Sequence, residues 1–439
     1  MLGSPLPTGW RWSTLGEVKC PDDRAIVSGP FGSNIGSRFF VTSGVPVIRG
    51  NNLTMDMTRF IDEDFVFVTE EKAAELSGCI AVPGDLVFTA AGSLGQVGII
   101  PRRSRYPRYV ISNKQMRARL DPEVVDELFA FYWFSSPTIV RHTQQRNTGS
   151  SVPLINLSIL RALPIPLPPL PEQRAIADIL GSLDDKIELN RRMNETLEQI
   201  AQATFRSWFV DFDPVRAKAE GRQPAGMDAA TAALFPDSFE DSPLGEIPRG
   251  WDARPLDSVA EFLNGLAMQK YSPEGDEYLP VIKIAELRSG VTSSSGRGSV
   301  GIPPEYVVDD GDVLFSWSGS LEVVIWCGGK GALNQHLFKV TSREYPRWFY
   351  YFWIRQHLPM FRDIASDKAT TMGHIRRHHL SEALVVAPPQ PVLDAADSLL
   401  SPLLARFVAN CQQSRTLAAI RDALLPKLMS GEVRVREAE

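Results

Sequence analysis

The second half of this chain repeats the first, and this internal repeat constrains the fold more than any other feature of the sequence. LPTGWRWSTLGEV (6–18) recurs as IPRGWDARPLDSV (247–259), and VPGDLVFTAAGSLG (82–95) recurs as DDGDVLFSWSGSLE (309–322). From LFAFYWFSS (128–136) onward, the offset between the halves stays at 220 residues. Corresponding residues include Trp10 and Trp251, Val47 and Val281, Ile48 and Ile282, Gly84 and Gly311, Asp85 and Asp312, Phe88 and Phe315, and Gly92 and Gly319. The repeat predicts two similar domains, each with its own core.

Within each repeat the pattern predicts a mixed α+β domain. Short β-branched and aromatic segments such as VPVIRG and DLVFTA, bounded by Gly, Pro and Ser, are typical of strands and turns. The apolar runs DELFAFYWFSS and YPRWFYYFWIRQ predict buried helices. The recurring Gly-Asp motif, Gly84-Asp85 and Gly311-Asp312, is interpreted as a turn that enters a strand, and its glycines need no ligand.

A long helical pattern follows the proline cluster that ends each repeat. The two patterns step alternately by four and three residues, as in the seam of a coiled coil, which predicts that the two helices pair with each other. Asn190 and Asn410 interrupt the seams near their midpoints, which favours an antiparallel pair with a fixed register. Each helix should span about 38 residues, or about 57 Å at 1.5 Å per residue. The predicted helix-pairing seam is Leu180, Leu183, Ile187, Asn190, Leu197, Leu400, Leu403, Phe407, Asn410 and Leu417.

The charge of the chain neither establishes nor excludes a nucleic-acid partner. A formal net charge of −6 argues against a protein whose whole surface is basic. However, DNA affinity depends on local cationic patches rather than on the total charge of the chain. One segment of eighteen residues carries seven cations and no acid, which suits a solvated strand face as well as a DNA patch. These cations are Arg102, Arg103, Arg105, Arg108, Lys114, Arg117 and Arg119.

Length and composition indicate a soluble multidomain protein. A chain of 439 residues with 44% hydrophobic residues can form two or three packed cores. The N-terminal segment lacks a basic region followed by an apolar one, and no run of about 18 apolar residues occurs, so we expect a cytoplasmic protein without a membrane partner. Cys20, Cys79, Cys327 and Cys411 are too scattered to predict a zinc site or a disulfide framework.

No catalytic residue and no metal site is predicted. The chain has no phosphate-binding loop, no Asn-Pro-Pro-aromatic motif of an adenine methyltransferase and no nuclease cluster of acids plus lysine. Asp22-Asp23 and Asp184-Asp185 are interpreted as a loop and a helix surface. His378-His379 follows Arg376-Arg377, which favours a basic patch over a metal pair. Any chemistry is expected to come from partner proteins.

Several longer motifs resemble those of a known family. They are FRSWFVDFDPVRAKAEGRQPAGMDAATAALFPDSFEDSPLGEIPRGW (205–251), PEQRAIADILGSLDDKIELNRRMNETLE (171–198) and NTGSSVPLI (147–155). In this order and spacing the chain closely resembles the specificity subunit of type I restriction-modification systems over essentially its whole length. The resemblance implies an α+β fold of two globular α/β target recognition domains, separated by two long helices that form an antiparallel coiled coil.

The resemblance also implies a function and a set of partners. Each recognition domain would recognise one half of a bipartite, asymmetric site in double-stranded DNA, and the helices would dock two methyltransferase subunits. Partner subunits would methylate adenine at N6 and, with restriction subunits, cleave DNA. This chain would bind no cofactor, whereas its partners use S-adenosylmethionine, ATP and Mg²⁺. The expected segments are 1–171 and 247–389 for the recognition domains, 172–210 and 390–431 for the helices, 211–246 for a linker and 432–439 for a tail.

Candidate DNA-contact residues lie in polar loops between the shared motifs, because base edges and phosphates are contacted by amides, hydroxyls and cations. For each residue the alternative is a turn cap or a solvated loop. The candidates in the first domain are Ser33, Asn34, Arg49, Asn51, Asn52, Arg146, Asn147, Thr148 and Ser150. Those in the second are Gln269, Lys270, Lys283, Ser318, Ser320, Lys368, Thr370 and Thr371.

The two repeats differ in their loops while their framework motifs match. NTGSSVPLI is aligned with ATTMGHI (369–375) so that the two final isoleucines match. NKQ (113–115) is aligned with NQH (334–336). Such differences are expected of domains that recognise different half-sites. Three alternatives remain: an enzyme with a degenerate motif, a coiled-coil adaptor that binds proteins alone, and a specificity subunit that serves methylation only.

Overall fold

A computed structural model describes residues 5–367 and 373–435. The chain divides into two compact units, which we call the first unit (Met1–Ile187 with Thr416–Glu439) and the second unit (Glu188–Arg415). Helices and sheets are mixed in both, so the predicted α+β fold class is confirmed. No helix among the described residues is long and apolar enough to cross a membrane.

The first unit contains two four-stranded sheets and one two-stranded pair. The sheet orders are β2-β9-β6-β7 and β4-β3-β8-β5, and β1 pairs with β10. The strands are β1 (Arg11–Thr14), β2 (Ile26–Ser28), β3 (Val45–Ile48), β4 (Val66–Val68), β5 (Ile80–Ala81), β6 (Leu86–Thr89), β7 (Val97–Ile99), β8 (Tyr109–Ile111), β9 (Gln115–Ala118) and β10 (Pro164–Leu167). The helices are α1 (Glu70–Glu75), α2 (Glu127–Ser135), α3 (Pro137–Gln144), α4 (Leu157–Arg161) and the long α5 (Leu170–Phe209), which continues into the second unit.

The second unit repeats this topology strand for strand. Its sheet orders are β14-β21-β18-β19 and β16-β15-β20-β17, β13 pairs with β22, and β11 and β12 form an added hairpin. The strands are β11 (Phe239–Ser242), β12 (Gly245–Pro248), β13 (Asp252–Pro255), β14 (Glu261–Asn264), β15 (Leu279–Ile282), β16 (Arg297–Gly298), β17 (Val307–Val308), β18 (Val313–Ser316), β19 (Val323–Ile325), β20 (Gly331–Leu333), β21 (Leu337–Thr341) and β22 (Leu384–Ala387). The helices are α6 (Asp213–Ala219), α7 (Ala229–Ala233), α8 (Leu256–Val259), α9 (Ile284–Ser289), α10 (Arg347–Asp367), α11 (Arg377–Glu382) and α12 (Gln390–Ser430).

The recurring Gly-Asp motif is a turn that enters a strand, as the sequence predicted. Gly84 and Gly311 both have a φ of 92°, a conformation that glycine adopts without strain. The Asp85 carboxylate accepts from the Val82 N–H at 2.9 Å and closes the turn. It also pairs with Arg119 at 2.8 Å, so the motif stabilises the sheet.

The segment predicted as a linker, 211–246, folds into α6, α7 and the β11–β12 hairpin. Its Phe212 and Phe235 are buried, and their ring centroids lie 6.0 and 6.1 Å from that of Trp251. The segment therefore adds to the core of the second unit. The expected segment boundaries themselves stay predictions.

The long helices α5 and α12 pair in antiparallel orientation, and this part of the predicted fold is confirmed. In the second unit Asn190 Nδ2 donates to Ser414 Oγ at 3.2 Å, whereas Asn194 Nδ2 donates to the Phe407 carbonyl at 3.1 Å. A later residue of α5 thus contacts an earlier residue of α12, as antiparallel pairing requires. All ten residues of the predicted seam are buried or half-buried, and Asn190 and Asn410 are 0% and 1% exposed.

One prediction about α5 needs correction. Asp184 was assigned to a helix surface together with Asp185, but only the Asp185 side chain is exposed, at 70%. The Asp184 side chain is 10% exposed and forms an ion pair with Arg421 at 2.8 Å. The reason is that α5 also contacts the globular part of the first unit, where the Tyr132 hydroxyl donates to Asp184 at 2.6 Å.

Candidate nucleic-acid interface

In the first unit, the end of β3, the segment after β6 and the β8–β9 turn converge on a cleft of about 500 Å³. β3 pairs with β8 and β6 pairs with β9, so these strand ends are held close together. The cleft is lined largely by polar and small residues, among them Arg49, Ser93, Gln96, Asn113 and Lys114. Amides, hydroxyls and cations are the groups with which proteins contact base edges and phosphates.

Hydrogen bonds fix the floor of this cleft. Thr89 Oγ1 donates to Gln96 Oε1 at 2.9 Å, and Gln96 Nε2 donates to the Leu53 carbonyl at 2.9 Å. These bonds hold Gln96 in place, whereas Asn113 and Lys114 are exposed at the tip of the β8–β9 turn. The cleft thus combines a rigid polar floor with exposed polar side chains at its edge.

The second unit places different side chains at the same backbone positions. Trp317 follows β18, His336 lies in the β20–β21 turn, and His374 precedes α11. The ring centroid of Trp317 lies 5.7 Å from that of His336 and 6.4 Å from that of His374. Trp317 Nε1 donates to Asn264 Oδ1 at 2.8 Å, and Ser318 Oγ lies 3.0 Å from His336 Nδ1. An aromatic and imidazole cluster therefore stands where the first unit has Ala90, Lys114 and Leu154.

The strand register corrects one predicted correspondence between the repeats. NKQ (113–115) was aligned with NQH (334–336), which matches Gln115 with His336. In the first unit the Ala90 N–H donates to the Lys114 carbonyl. The equivalent bond of the second unit runs from the Trp317 N–H to the His336 carbonyl. The alignment is wrong by one residue, because it followed the shared Asn and Gln letters, whereas the hydrogen-bond register of the strands matches Lys114 with His336.

Most predicted DNA-contact residues of the first unit lie on its surface. Ser33, Asn34, Asn51, Arg146, Asn147, Thr148 and Ser150 are exposed, and Arg49 is half-buried. Asn147 Oδ1 accepts from the Gly149 and Leu154 N–H groups at 2.9 and 2.8 Å, which closes the loop between them. Arg146 Nη1 lies 2.9 Å from His142 Nδ1. Burial of the His142 imidazole lowers its pKa, and the charge of Arg146 lowers it further. Of the predicted set, Arg49 lines the cleft.

Asn52 differs from its neighbours because it is 0% exposed. Its Oδ1 accepts from the Arg49 N–H at 2.9 Å, and its Nδ2 donates to the carbonyls of Ile61 and Glu63 at 3.0 and 2.9 Å. The side chain thus holds the turn after β3, which is the alternative weighed for every candidate. Its place in the second unit is taken by Glu286, which accepts from the Lys283 N–H at 3.0 Å.

The predicted contacts of the second unit fall into three groups. Gln269, Lys270, Lys283 and Ser320 are exposed, and Ser318 is 4% exposed beneath His336. Lys368, Thr370 and Thr371 lie outside the described residues. Contact with DNA stays a prediction for all of them.

Comparison with known proteins identifies the family. A sequence profile described as type I restriction modification DNA specificity domain matches residues 42–199 and 248–392. The chain belongs to this type I specificity family. The two matched stretches correspond to the two repeats.

Individual members of the family agree with this assignment. The MjaIX specificity subunit of Methanocaldococcus jannaschii is 26% identical over 386 residues, covering 84% of this chain and 82% of that protein. The HindI specificity subunit of Haemophilus influenzae is 26% identical over 375 residues, covering 74% and 81%. The crystal structure of the S subunit from M. genitalium covers 98% of this chain and 97% of that one, with 14% identity and a TM-score of 0.57. That structure shares the fold.

Membership in the specificity family confirms two predictions. The suspected resemblance was correct, and the chain is a DNA-recognition subunit rather than a catalytic one, since its relatives are named specificity subunits. The sequence did not single out Trp317, His336 or His374 as contact candidates, and it named Lys114 only within the cation-rich segment. The signal that could have found them was the position of these residues in loops that differ between the repeats.

Four of the seven cations of the cation-rich segment lie within ion-pair distance of acids. Arg102 pairs with Glu127 at 2.6 Å, and Arg108 pairs with Glu70. Arg117 and Arg119 both lie within ion-pair distance of Asp85, and the Arg117 side chain is only 4% exposed. Lys114 is the member of the segment that lines the cleft.

The histidine pair on α11 lies beside an acid. His378, His379 and Glu382 place one ligand atom each within 4.8 Å of one another. However, His379 Nδ1 accepts from the Arg376 N–H at 3.0 Å, which leaves the proton of the neutral ring on Nε2. A metal at Nε2 would compete with this helix cap. The expectation of no metal site stays a prediction.

Two cysteines that are distant in sequence are close in the fold. The Cys411 thiol forms a hydrogen bond with Cys327, and this bond raises the pKa of the Cys327 thiol, as does burial to a smaller extent. Cys411 Sγ also accepts from Asn194 Nδ2 at 3.1 Å. All four cysteines are free thiols. The sequence spacing gave no sign of this contact.

Proposed function

We propose that each unit recognises one half of a bipartite, asymmetric site in double-stranded DNA. The helix pair then docks two methyltransferase subunits, which methylate adenine at N6. Restriction subunits join the same complex and cleave DNA in an ATP-dependent reaction. In this scheme the chain directs its partners to a sequence and performs no reaction itself.

One observation carries this proposal: two units with the same strand order place different side chains at equivalent positions. The Ile155 N–H donates to the Ala90 carbonyl, and the Ile375 N–H donates to the Trp317 carbonyl in the same way. A shared frame with different contact groups is what recognition of two different half-sites requires. An adaptor that binds proteins alone gives no reason for polar and aromatic differences at these loops.

The helices offer apolar surface for protein partners. Ile179 and Leu399 are 36% and 49% exposed at positions related by the repeat, and Ile200 and Ile420 are 48% and 44% exposed at another such pair. Each unit therefore presents an exposed apolar residue of α5 and one of α12 at positions related by the repeat, and the second unit adds Leu189 of α5, which is 51% exposed. Two equivalent apolar surfaces suit two copies of the same partner.

The cofactors of this scheme belong to the partners. We propose that the methyltransferase subunits bind S-adenosylmethionine and that the restriction subunits use ATP and Mg²⁺, while this chain binds neither. The complex would act on double-stranded DNA in the cytoplasm.

Co-expression with the cognate methyltransferase subunit in a methylation-free host tests the proposal. Single-molecule sequencing should map N6-methyladenine to one split, asymmetric motif, and only when both proteins are present. If the complex assembles, and the methyltransferase works with another specificity subunit, the absence of any motif would favour the adaptor alternative.

A pair of variants tests the docking surface. Ile200→Glu should weaken co-purification of the methyltransferase by placing a charge on the apolar surface. Gln199→Glu adds the same charge at the exposed neighbouring position and should leave co-purification unchanged. Equal effects from both variants would contradict docking at this surface.

A further inference from the structure

Three pairs of residues occupy equivalent backbone positions at the candidate interface but differ in chemistry. We call them the variable positions: Ala90, Lys114 and Leu154 in the first unit, and Trp317, His336 and His374 in the second. Matching hydrogen bonds establish the first two pairs, as described above. For the third, the bridge between Ala91 and Leu154 corresponds to the bridge between Ser318 and His374.

The variable positions of the second unit form one cluster. Trp317 contacts both imidazoles, and its Nε1 is held by Asn264. Ser318 Oγ contacts His336 Nδ1, so the hydroxyl restrains the ring while Nε2 lies 3.4 Å from the Gln335 amide nitrogen. The cluster is thus restrained by its neighbours, and base-contacting groups gain specificity when they are pre-organised in this way.

The variable positions of the first unit carry no such cluster. Ala90 is 8% exposed, Leu154 is 42% exposed, and Lys114 stands on the exposed tip of its turn. Lysine offers donors only, which match the two acceptors of guanine in the major groove. With Nδ1 held by Ser318, Nε2 of a neutral His336 ring donates in one tautomer and accepts in the other, so His336 can contact base acceptors or donors, whereas lysine contacts acceptors only.

We propose that Lys114 and His336 determine base preference in the two opposite half-sites, with Trp317 and His374 positioning His336. This inference rests on the proposed function. It adds the prediction that one turn in each unit contacts base edges rather than phosphates alone. The ligand is duplex DNA, and Lys114 favours guanine.

Reciprocal substitution tests the proposal. His336→Lys and Lys114→His each give one unit the side chain of the other. In the co-expressed complex, each variant should change the methylated motif at one or two base pairs of one half-site, and the two variants should change opposite halves. Competition binding of the assembled complex to duplexes with single base changes should show about a tenfold loss of discrimination at the same positions.

A matched control separates base recognition from added charge. His378→Lys makes the same change at an exposed histidine on α11 and should leave both half-sites unchanged. His374→Leu gives the second unit the leucine of the first, and it should relax base discrimination in the same half-site as His336→Lys. Circular dichroism and co-purification with the methyltransferase show whether each variant folds and assembles.

The outcomes distinguish this inference from the proposed function. If the wild type directs methylation to a bipartite motif but His336→Lys and Lys114→His leave both the motif and the discrimination intact, the assignment of these residues is overturned. The same holds if both variants change the same half-site. If the wild-type complex selects no motif, the proposed function itself fails.

Discussion

At three positions related by the repeat, the two units join their globular parts to the helix pair through different chemistry. In the first unit Arg421 and Asp184 form an ion pair whose side chains are 9% and 10% exposed, and the Tyr132 hydroxyl donates to the same carboxylate at 2.6 Å. Arg59 adds a second link to the helix, a 2.8 Å ion pair with Asp185. This junction is a charged, hydrogen-bonded network.

The equivalent positions of the second unit are apolar, although the Tyr351 hydroxyl and Arg355 of α10 both contact Glu198 elsewhere on α5. Phe352, Leu404 and Ala201 take the places of Tyr132, Asp184 and Arg421, and all three are at most 3% exposed. Phe205 of α5 packs against Phe352 and Trp353, with both pairs of ring centroids 5.3 Å apart. The corresponding residue of the first unit is Leu425.

The comparison shows that the two repeats share backbone positions, whereas the side-chain interactions at those positions differ. A buried ion pair is seldom more stabilising than a well-packed apolar contact, but removal of one partner leaves a charge without compensation. An apolar junction loses stability more gradually, because volume-conserving changes repack. We therefore expect the first unit to be the more sensitive to single substitutions at its junction.

The largest effect is expected from Arg421→Ala. It leaves Asp184 buried without its cation and should destabilise the first unit by about 3–5 kcal/mol, measured by urea unfolding of the full chain. The triple variant Tyr132→Phe, Asp184→Leu and Arg421→Ala copies the second unit and should recover stability to within about 1 kcal/mol of the wild type. A triple variant as unstable as Arg421→Ala would contradict the proposed equivalence of the junctions.

A smaller effect is expected when the second unit receives the side chains of the first. Phe205→Leu and Phe209→Met together copy Leu425 and Met429 and remove aromatic contacts with Trp348, Phe352 and Trp353. We expect a loss of about 1–3 kcal/mol, because the substitutions stay apolar but leave volume unfilled. Tryptophan fluorescence during urea unfolding should report it through Trp348 and Trp353. No change in the midpoint would mean that this aromatic packing adds little stability.

The features that the sequence predicted are those with a period or a repeat. Spacing by three and four placed Asn190 and Asn410 on the helix seam, and repetition of the Gly-Asp motif revealed a turn that both units share. These patterns are local, so each can be recognised without knowing what packs against it.

The features that the sequence missed depend on contacts between distant segments. Asp184 looked like a surface residue because its partner Arg421 lies on the other long helix. The correspondence of Lys114 with His336 was missed because strand register, and not residue identity, determines it. The Trp317 cluster joins three loops that are distant in sequence. Sequence comparison within one chain therefore outlined the two units but could not place the contacts at their candidate interfaces.

The smallest predicted effect concerns a polar contact that has no counterpart in the first unit. Asp310 accepts from Arg415 of α12, with a shortest N–O distance of 2.7 Å, whereas the repeat places Pro83 and Glu195 at the corresponding positions. Burial raises the pKa of Asp310, but hydrogen bonds from Arg415, the Gly329 N–H and Gln412 outweigh it, so the pKa lies below its usual value. The contact therefore stabilises the folded second unit above the unfolded pKa of about 4 and is lost as the pH falls through the lower folded value.

Asp310→Asn removes this dependence and provides the test. Near neutral pH we expect the variant to be less stable than the wild type by about 0.2–1 kcal/mol, because the pair is partly exposed. As the pH falls below about 4, the difference between the two unfolding curves should shrink toward zero, since the wild-type carboxylate becomes protonated as well. A difference that stayed constant from neutral to acidic pH would show that asparagine disturbs the packing beside Gly329 rather than the charge, and the contrast between the units would then rest on Tyr132, Asp184 and Arg421 and their apolar counterparts.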